Sequence, residues 1–128
     1  MGLDTTRRTA VVSASMTGDE IILAILSEQH VFLHYTDEQG LSGILHEGVI
    51  RPDYKGVVYL TQEPMTQAQA HTNIFIGATT HSGRASHLLV LRLDNGLPIR
   101  RLTDYEFSVD QNIKLHQHEV LYAGLNPF

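Results

Sequence analysis

Phe32-Leu33-His34-Tyr35-Thr36, followed at once by Asp37-Glu38-Gln39, is the stretch on which the fold turns. Its apolar and aromatic residues read as a short strand. Thr36-Asp37-Glu38-Gln39 then reads as a capping box, in which a threonine oxygen accepts from a free helix amide and the residue three places on returns the bond. A strand that leads directly into a helix is expected. Leu41, Ile44 and Leu45 share one face of that helix, and Gly48 is placed to close it in the left-handed conformation. Two further apolar segments follow the same form. Val57-Val58-Tyr59-Leu60-Thr61 carries a tyrosine, and His118-Glu119-Val120-Leu121-Tyr122-Ala123 opens with a glutamate. Three short strands that deliver a histidine, a tyrosine and a glutamate in chain order are the makings of one shared cleft.

Outward from this centre, Thr17-Gly18-Asp19-Glu20 fits another capping box and predicts a helix through about Ser27. Pro64 suits the first turn of a third helix over about residues 65–74, where a missing amide costs nothing. Residues 77–86, with their Thr, Ser, His and Gly, read as a surface loop. His87 to Leu93 is a strongly apolar strand, Asp94-Asn95-Gly96 a turn, and Ile99 to Leu102 a further strand. Residues 1–16 read as a flexible leader. Residues 17–128 are left as a single domain.

The composition narrows the function classes. A chain of 128 residues with 42% hydrophobic and 18% charged residues reads as one globular core. Its formal net charge of −5 argues against a broad nucleic-acid face, which needs a cationic excess to neutralise phosphates. Cysteine is absent, so disulfides and thiolate metal sites are excluded. The longest apolar stretch, Ile21 to Leu26, falls well short of the roughly 20 residues that span a bilayer. No apolar signal-peptide core follows Arg7 and Arg8. The expectation is a protein that acts in the cytoplasm, or one delivered into a target cell by another component.

His34-Tyr35-Thr36, with Gly40-Leu41, Gly43-Ile44-Leu45, Gly48-Val49-Ile50 and Val58-Tyr59-Leu60-Thr61, resembles the ADP-ribosyltransferase superfamily. The likeness is to its histidine-tyrosine-glutamate or -aspartate type, and in particular to the compact toxin transferases. The resemblance implies an α+β fold, a split β-sandwich of two antiparallel sheets with helices on one side around a cleft for NAD, the co-substrate. His34 would hold the adenosine ribose. Tyr35 would offer its main chain to the nicotinamide amide, with Thr36 beside it, and Tyr59 would stack on the nicotinamide ring with Thr61 lining the same pocket. Glu119 would be the carboxylate beside the reacting ribose, with Asp94 as the competing candidate. Many relatives place a second aromatic where Ala70 stands here, so either His71 or Phe75 would substitute for it, or the slot would have one aromatic wall. Gln117 corresponds to an acceptor-side residue. By the same resemblance the activity is mono-ADP-ribosyl transfer to a macromolecular acceptor, expected to be a protein, with release of nicotinamide. A toxin or effector module restrained by a neutralising partner protein is implied. Transfer to a small molecule such as a rifamycin-type antibiotic, and an inactive nucleotide- or protein-binding relative, are the alternatives.

The chemistry explains these residue types. Loss of nicotinamide leaves positive charge on the ribose, so a fixed carboxylate stabilises the transition state more than the ground state. A tyrosine face holds the flat cationic ring. His116-x-His118 would share one face of a strand, but no third ligand stands at a fitting spacing, so no metal is expected.

Overall fold

The computed structural model describes residues 16–28, 30–73, 85–104 and 106–128, with the backbone alone for 71–73. Helix α1 (Gly18–Ser27) starts at the predicted capping box, with the Glu20 amide donating to Thr17 Oγ1 at 3.2 Å and the Thr17 amide to Glu20 Oε1 at 2.8 Å. Strand β1 (Val31–Thr36) runs into α2 (Glu38–Glu47), as expected. The cap of α2, however, is Asp37 rather than Thr36. Asp37 Oδ1 accepts from the Gly40 amide at 2.6 Å, while Thr36 stays in the strand opposite His87. Gly40 is needed there, because a Cβ would collide with Thr36 Oγ1. Gly48, at φ 74°, closes the helix by donating to the Ile44 carbonyl at 2.7 Å.

Strands β2 (Val49–Ile50) and β3 (Val58–Leu60) precede α3 (Gln67–Asn73). α3 begins later than Pro64 suggests. Thr66 and Gln69 exchange two side-chain-to-amide bonds, at 2.9 and 3.2 Å, and this reciprocal cap fixes the start. After residue 85 come β4 (His87–Arg92), β5 (Arg100–Arg101), β6 (Phe107–Val109), β7 (Ile113–Lys114), a 3₁₀ turn (Leu115–Gln117) and β8 (Glu119–Leu125). The expected 77–86 loop lies outside the described residues apart from its last two. So does the leader, apart from Met16, which packs against the core.

The fold is α+β, with antiparallel pairing throughout. The described strands form three sheets rather than two: β1-β4-β8, β3-β6-β5 and the two-stranded β2-β7. Helices also lie on both faces of the first sheet, not on one. α1 and α3 bring Ile21 and Ala70 to the face carrying Val31, Leu33, Tyr35, Leu88, Val90 and Tyr122. α2 brings Leu41 to the other face, where Phe32, Leu89 and Leu91 meet Val58, Leu60 and Val109 of the second sheet. β4 is therefore covered on both faces, which is why it reads as an unbroken apolar run. Each of its fully buried residues, Leu88 to Leu91, contributes about 1.5–3 kcal/mol.

Two irregularities in the ladders decide which side chains can meet. β4 and β8 pair in register up to Val90↔Tyr122, but the next pair is Leu91↔Val120, so Leu121 is an extra residue in a β-bulge. β1 and β3 meet at a single isolated bridge, Leu33↔Thr61, with N–H···O distances of 2.7 and 2.9 Å.

Candidate functional site: a cleft where two sheets part

Beyond the Leu33–Thr61 bridge, β1 stays with β4 and β3 stays with β6, and a cleft of about 410 Å³ opens between them. His34, Tyr35, Thr36, Tyr59 and Thr61 all line it. Five of the residues singled out from sequence thus share one concavity. α2 and the Gly48–Asp53 segment close its far side through Gly40, Gly43, Ile44 and Pro52.

The polar groups are held by the chain's own backbone. His34 Nδ1 lies 3.0 Å from the Tyr59 carbonyl, and a carbonyl only accepts, so Nδ1 carries the proton and the ring is oriented across the split. Tyr35 sends its side chain the other way, into the core under α1. There its hydroxyl donates to the Glu63 carbonyl at 3.2 Å and accepts from the Met65 amide at 2.7 Å, and burial pushes the phenol well above its usual range. What Tyr35 offers the cleft is main chain. Leu33 directs its N–H and C=O at β3, and alternation directs those of Tyr35 to the same edge, past the last rung. No described backbone group of β3 reaches them. Thr36 and Thr61 are buried, and Thr61 Oγ1 accepts from the Glu63 amide at 3.1 Å. The Tyr59 ring has no aromatic partner among the described residues.

The rim is acidic. Among the described residues, Asp37, Glu47 and Asp53 line the cleft beside one arginine, Arg51. All three carboxylates are engaged: Asp37 by the Gly40 amide, Glu47 by Arg51 at 3.1 Å, and Asp53 by the Lys55 and Val57 amides at 2.8 and 3.3 Å.

Glu119 is not brought to His34 and Tyr59. It opens β8 as expected, but it pairs with Arg92, which pairs with Val31, and so it stands on the face opposite His34. Counting rungs at about 3.3 Å per residue and 4.8 Å per strand, the two backbones are on the order of 14 Å apart. Its carboxylate is bonded by Arg92 Nη1. Arg92 also grips Glu28 through Nε and Nη2, at 2.6 and 2.7 Å, which holds the Glu28 carboxyl below its usual range. Asp94 and Gln117 lie in this second, shallow depression with His30 and His118, away from the cleft. His118 Nδ1 accepts from the Asp94 amide at 2.9 Å, and burial holds the imidazole below its usual pKa.

The side chain of His71, and Phe75, lie outside the described residues. His116 falls in the 3₁₀ turn and not on a strand, and no metal-holding cluster of three ligands is found among the described residues. Nor does any described helix have the length and apolarity to cross a membrane. The chain matches no protein-family model, no curated protein and no solved structure.

Proposed function

We propose that this chain is an NAD-dependent mono-ADP-ribosyltransferase, an ADP-ribosyltransferase-like split sandwich whose NAD cleft lies between β1 and β3. The observation that carries the reading is the unpaired main-chain edge of Tyr35 beside the His34–Tyr59 contact. A carboxamide is both donor and acceptor, so it complements an N–H and a C=O that face one way. The nicotinamide ring then lies against Tyr59, where a cationic ring gains from an aromatic face and from the acidic rim. His34, oriented by the Tyr59 carbonyl, is placed for a ribose hydroxyl. The reacting end of the dinucleotide enters first, with the pyrophosphate toward solvent past Arg51.

Transfer would proceed by loss of nicotinamide and capture of the ribosyl cation by a nucleophile on an acceptor, with water as fallback. A protein acceptor, a toxin or effector role and a neutralising partner rest on the resemblance alone, as does the small-molecule alternative. A second reading is favoured by a specific observation. Because Glu119 is committed to Arg92 on the far face, a cleft that binds NAD or a related nucleotide without turnover fits the same geometry.

The experiment is to measure NAD binding by calorimetry, nicotinamide release, and transfer of label from NAD into a cell extract. Binding with release supports the transferase and points to its labelled acceptor. Binding without release supports the binding module, and absence of binding overturns both.

A further inference from the structure

Thr36 is only 4% exposed, and its hydroxyl makes no hydrogen bond among the described residues. Nor is Oγ1 one of the sealed polar atoms without a partner, which are His30 Nδ1 and His118 Nε2. The surface it keeps therefore opens to the cleft that Thr36 lines. A buried hydroxyl left in this state costs free energy unless a ligand supplies the bond.

The first turn of α2 completes the spot. A Cβ on Gly40 would collide with Thr36 Oγ1 and stand 3.0 Å from Asp37 Oδ1, so both oxygens gather around one bare Cα. Thr36, Asp37 and Gly40 all line the cleft. Asp37 Oδ1 accepts from the Gly40 amide at 2.6 Å, which fixes the carboxylate, while Oδ2 takes no bond among the described residues. A carboxylate keeps acceptor capacity after one such bond. A helix N-terminus ordinarily draws a phosphate. Here its cap already carries a negative charge, and Arg51, the one arginine or lysine among the described lining residues, is bonded to Glu47 at 3.1 Å. A hydroxyl and a fixed carboxylate side by side suit the hydroxyls of a sugar and repel a phosphate.

We propose that Asp37, beside Thr36, makes the cleft select NAD over NADP at the 2′-position of the adenosine ribose. The selection rests on the NAD reading of the cleft and narrows it to one member of the cofactor class. His34 and Thr36 stand two residues apart on β1, on the same face and about 6.6 Å from each other along the strand, a distance that one ribose and its substituents span. With His34 at one hydroxyl of that ribose, the Thr36 hydroxyl and Asp37 Oδ2 meet the other. In NADP the 2′-hydroxyl carries a phosphate. Two negative groups then share one corner of a cleft whose rim also holds Glu47 and Asp53.

The test measures, by calorimetry, the binding of NAD, NADP and NAD lacking the adenosine 2′-hydroxyl to the wild type, Asp37→Asn and Thr36→Val. Asparagine caps a helix as well as aspartate does, so Asp37→Asn removes the charge and keeps α2. The wild type is expected to bind NADP at least about 30-fold more weakly than NAD, a preference that Asp37→Asn narrows about tenfold. The deoxy ligand should bind the wild type about tenfold more weakly than NAD. Thr36→Val should lower NAD affinity about tenfold with the melting temperature unchanged or higher, since the hydroxyl has no internal partner to lose. Equal binding of NAD and NADP by the wild type, undiminished binding of the deoxy ligand, or an unchanged preference in Asp37→Asn overturns the selection and leaves the NAD reading standing. The two ligand comparisons on the wild type decide the matter even if Asp37→Asn does not fold. A melting temperature that falls in step with affinity in Thr36→Val makes its hydroxyl a packing element and refutes its role at the ribose. No NAD binding by the wild type removes the NAD reading itself, and the selection falls with it.

Discussion

The two ends of the β1–β4–β8 sheet are both rich in polar side chains, and they do opposite things with them. At the Arg92 end, Glu28 and Glu119 share one guanidinium, and Asp94, Gly96 and His118 bond one another through side chain and backbone. The partners there are internal, and the depression between them is shallow. At the His34 end the side chains are pinned by the chain's own backbone, but β1 and β3 diverge and leave the edge of Tyr35 directed into space. Polar groups that satisfy each other are architecture. Polar groups fixed in place around a void invite a ligand.

Three measurements press on that contrast, from the largest expected effect to the smallest. The double variant His34→Ala, Tyr59→Ala is expected to weaken NAD binding by about 100-fold, near 2.7 kcal/mol, while its melting temperature stays close to that of the wild type. Comparable losses in stability and binding would show the His34–Tyr59 contact to be a packing element instead. Arg92→Leu should do the reverse. It leaves Glu28 and Glu119 without their shared partner and is expected to lower stability by a small but measurable amount, because the pairs stand at the surface, with NAD affinity unchanged. Denaturant unfolding and calorimetry on one preparation read both quantities, and a change in affinity would join the two ends functionally. The smallest effect is a pH dependence. His118 is held below its unfolded value of about 6.5, so its contribution to stability is present above that pH and fades as pH falls through the folded pKa. His118→Gln should flatten the slope of stability against pH below about 6.5, and an unaltered slope would assign it to another group.

Much of the first half is legible in the sequence because its signals are local. A capping box needs four residues, a left-handed glycine one, and the His34–Thr36 strand announces itself by its neighbours. The α2 cap falls one position later than its motif suggests because Thr36 is claimed by the ladder with β4, a tertiary fact. The two-residue strands β2 and β7 carry no periodicity at all, and their sheet exists only by pairing residues far apart in the chain. Glu119 is the most instructive case. Strict alternation along β8 puts residues 119, 121 and 123 on one face, and Ala123, across Leu89 from His34, does share the cleft-side face. The bulge at Leu121 adds one residue and moves Glu119 to the other.

The lone rung between Leu33 and Thr61 has a mechanical consequence. Strands β1 and β3 act as two jaws on one pivot, and the wedge behind that pivot is the core in which Phe32 and Phe107 meet edge to face at 5.2 Å and 79°. The gape at the mouth is thus set by volume at the back, so the width of the cleft is written in aromatic residues that do not line it.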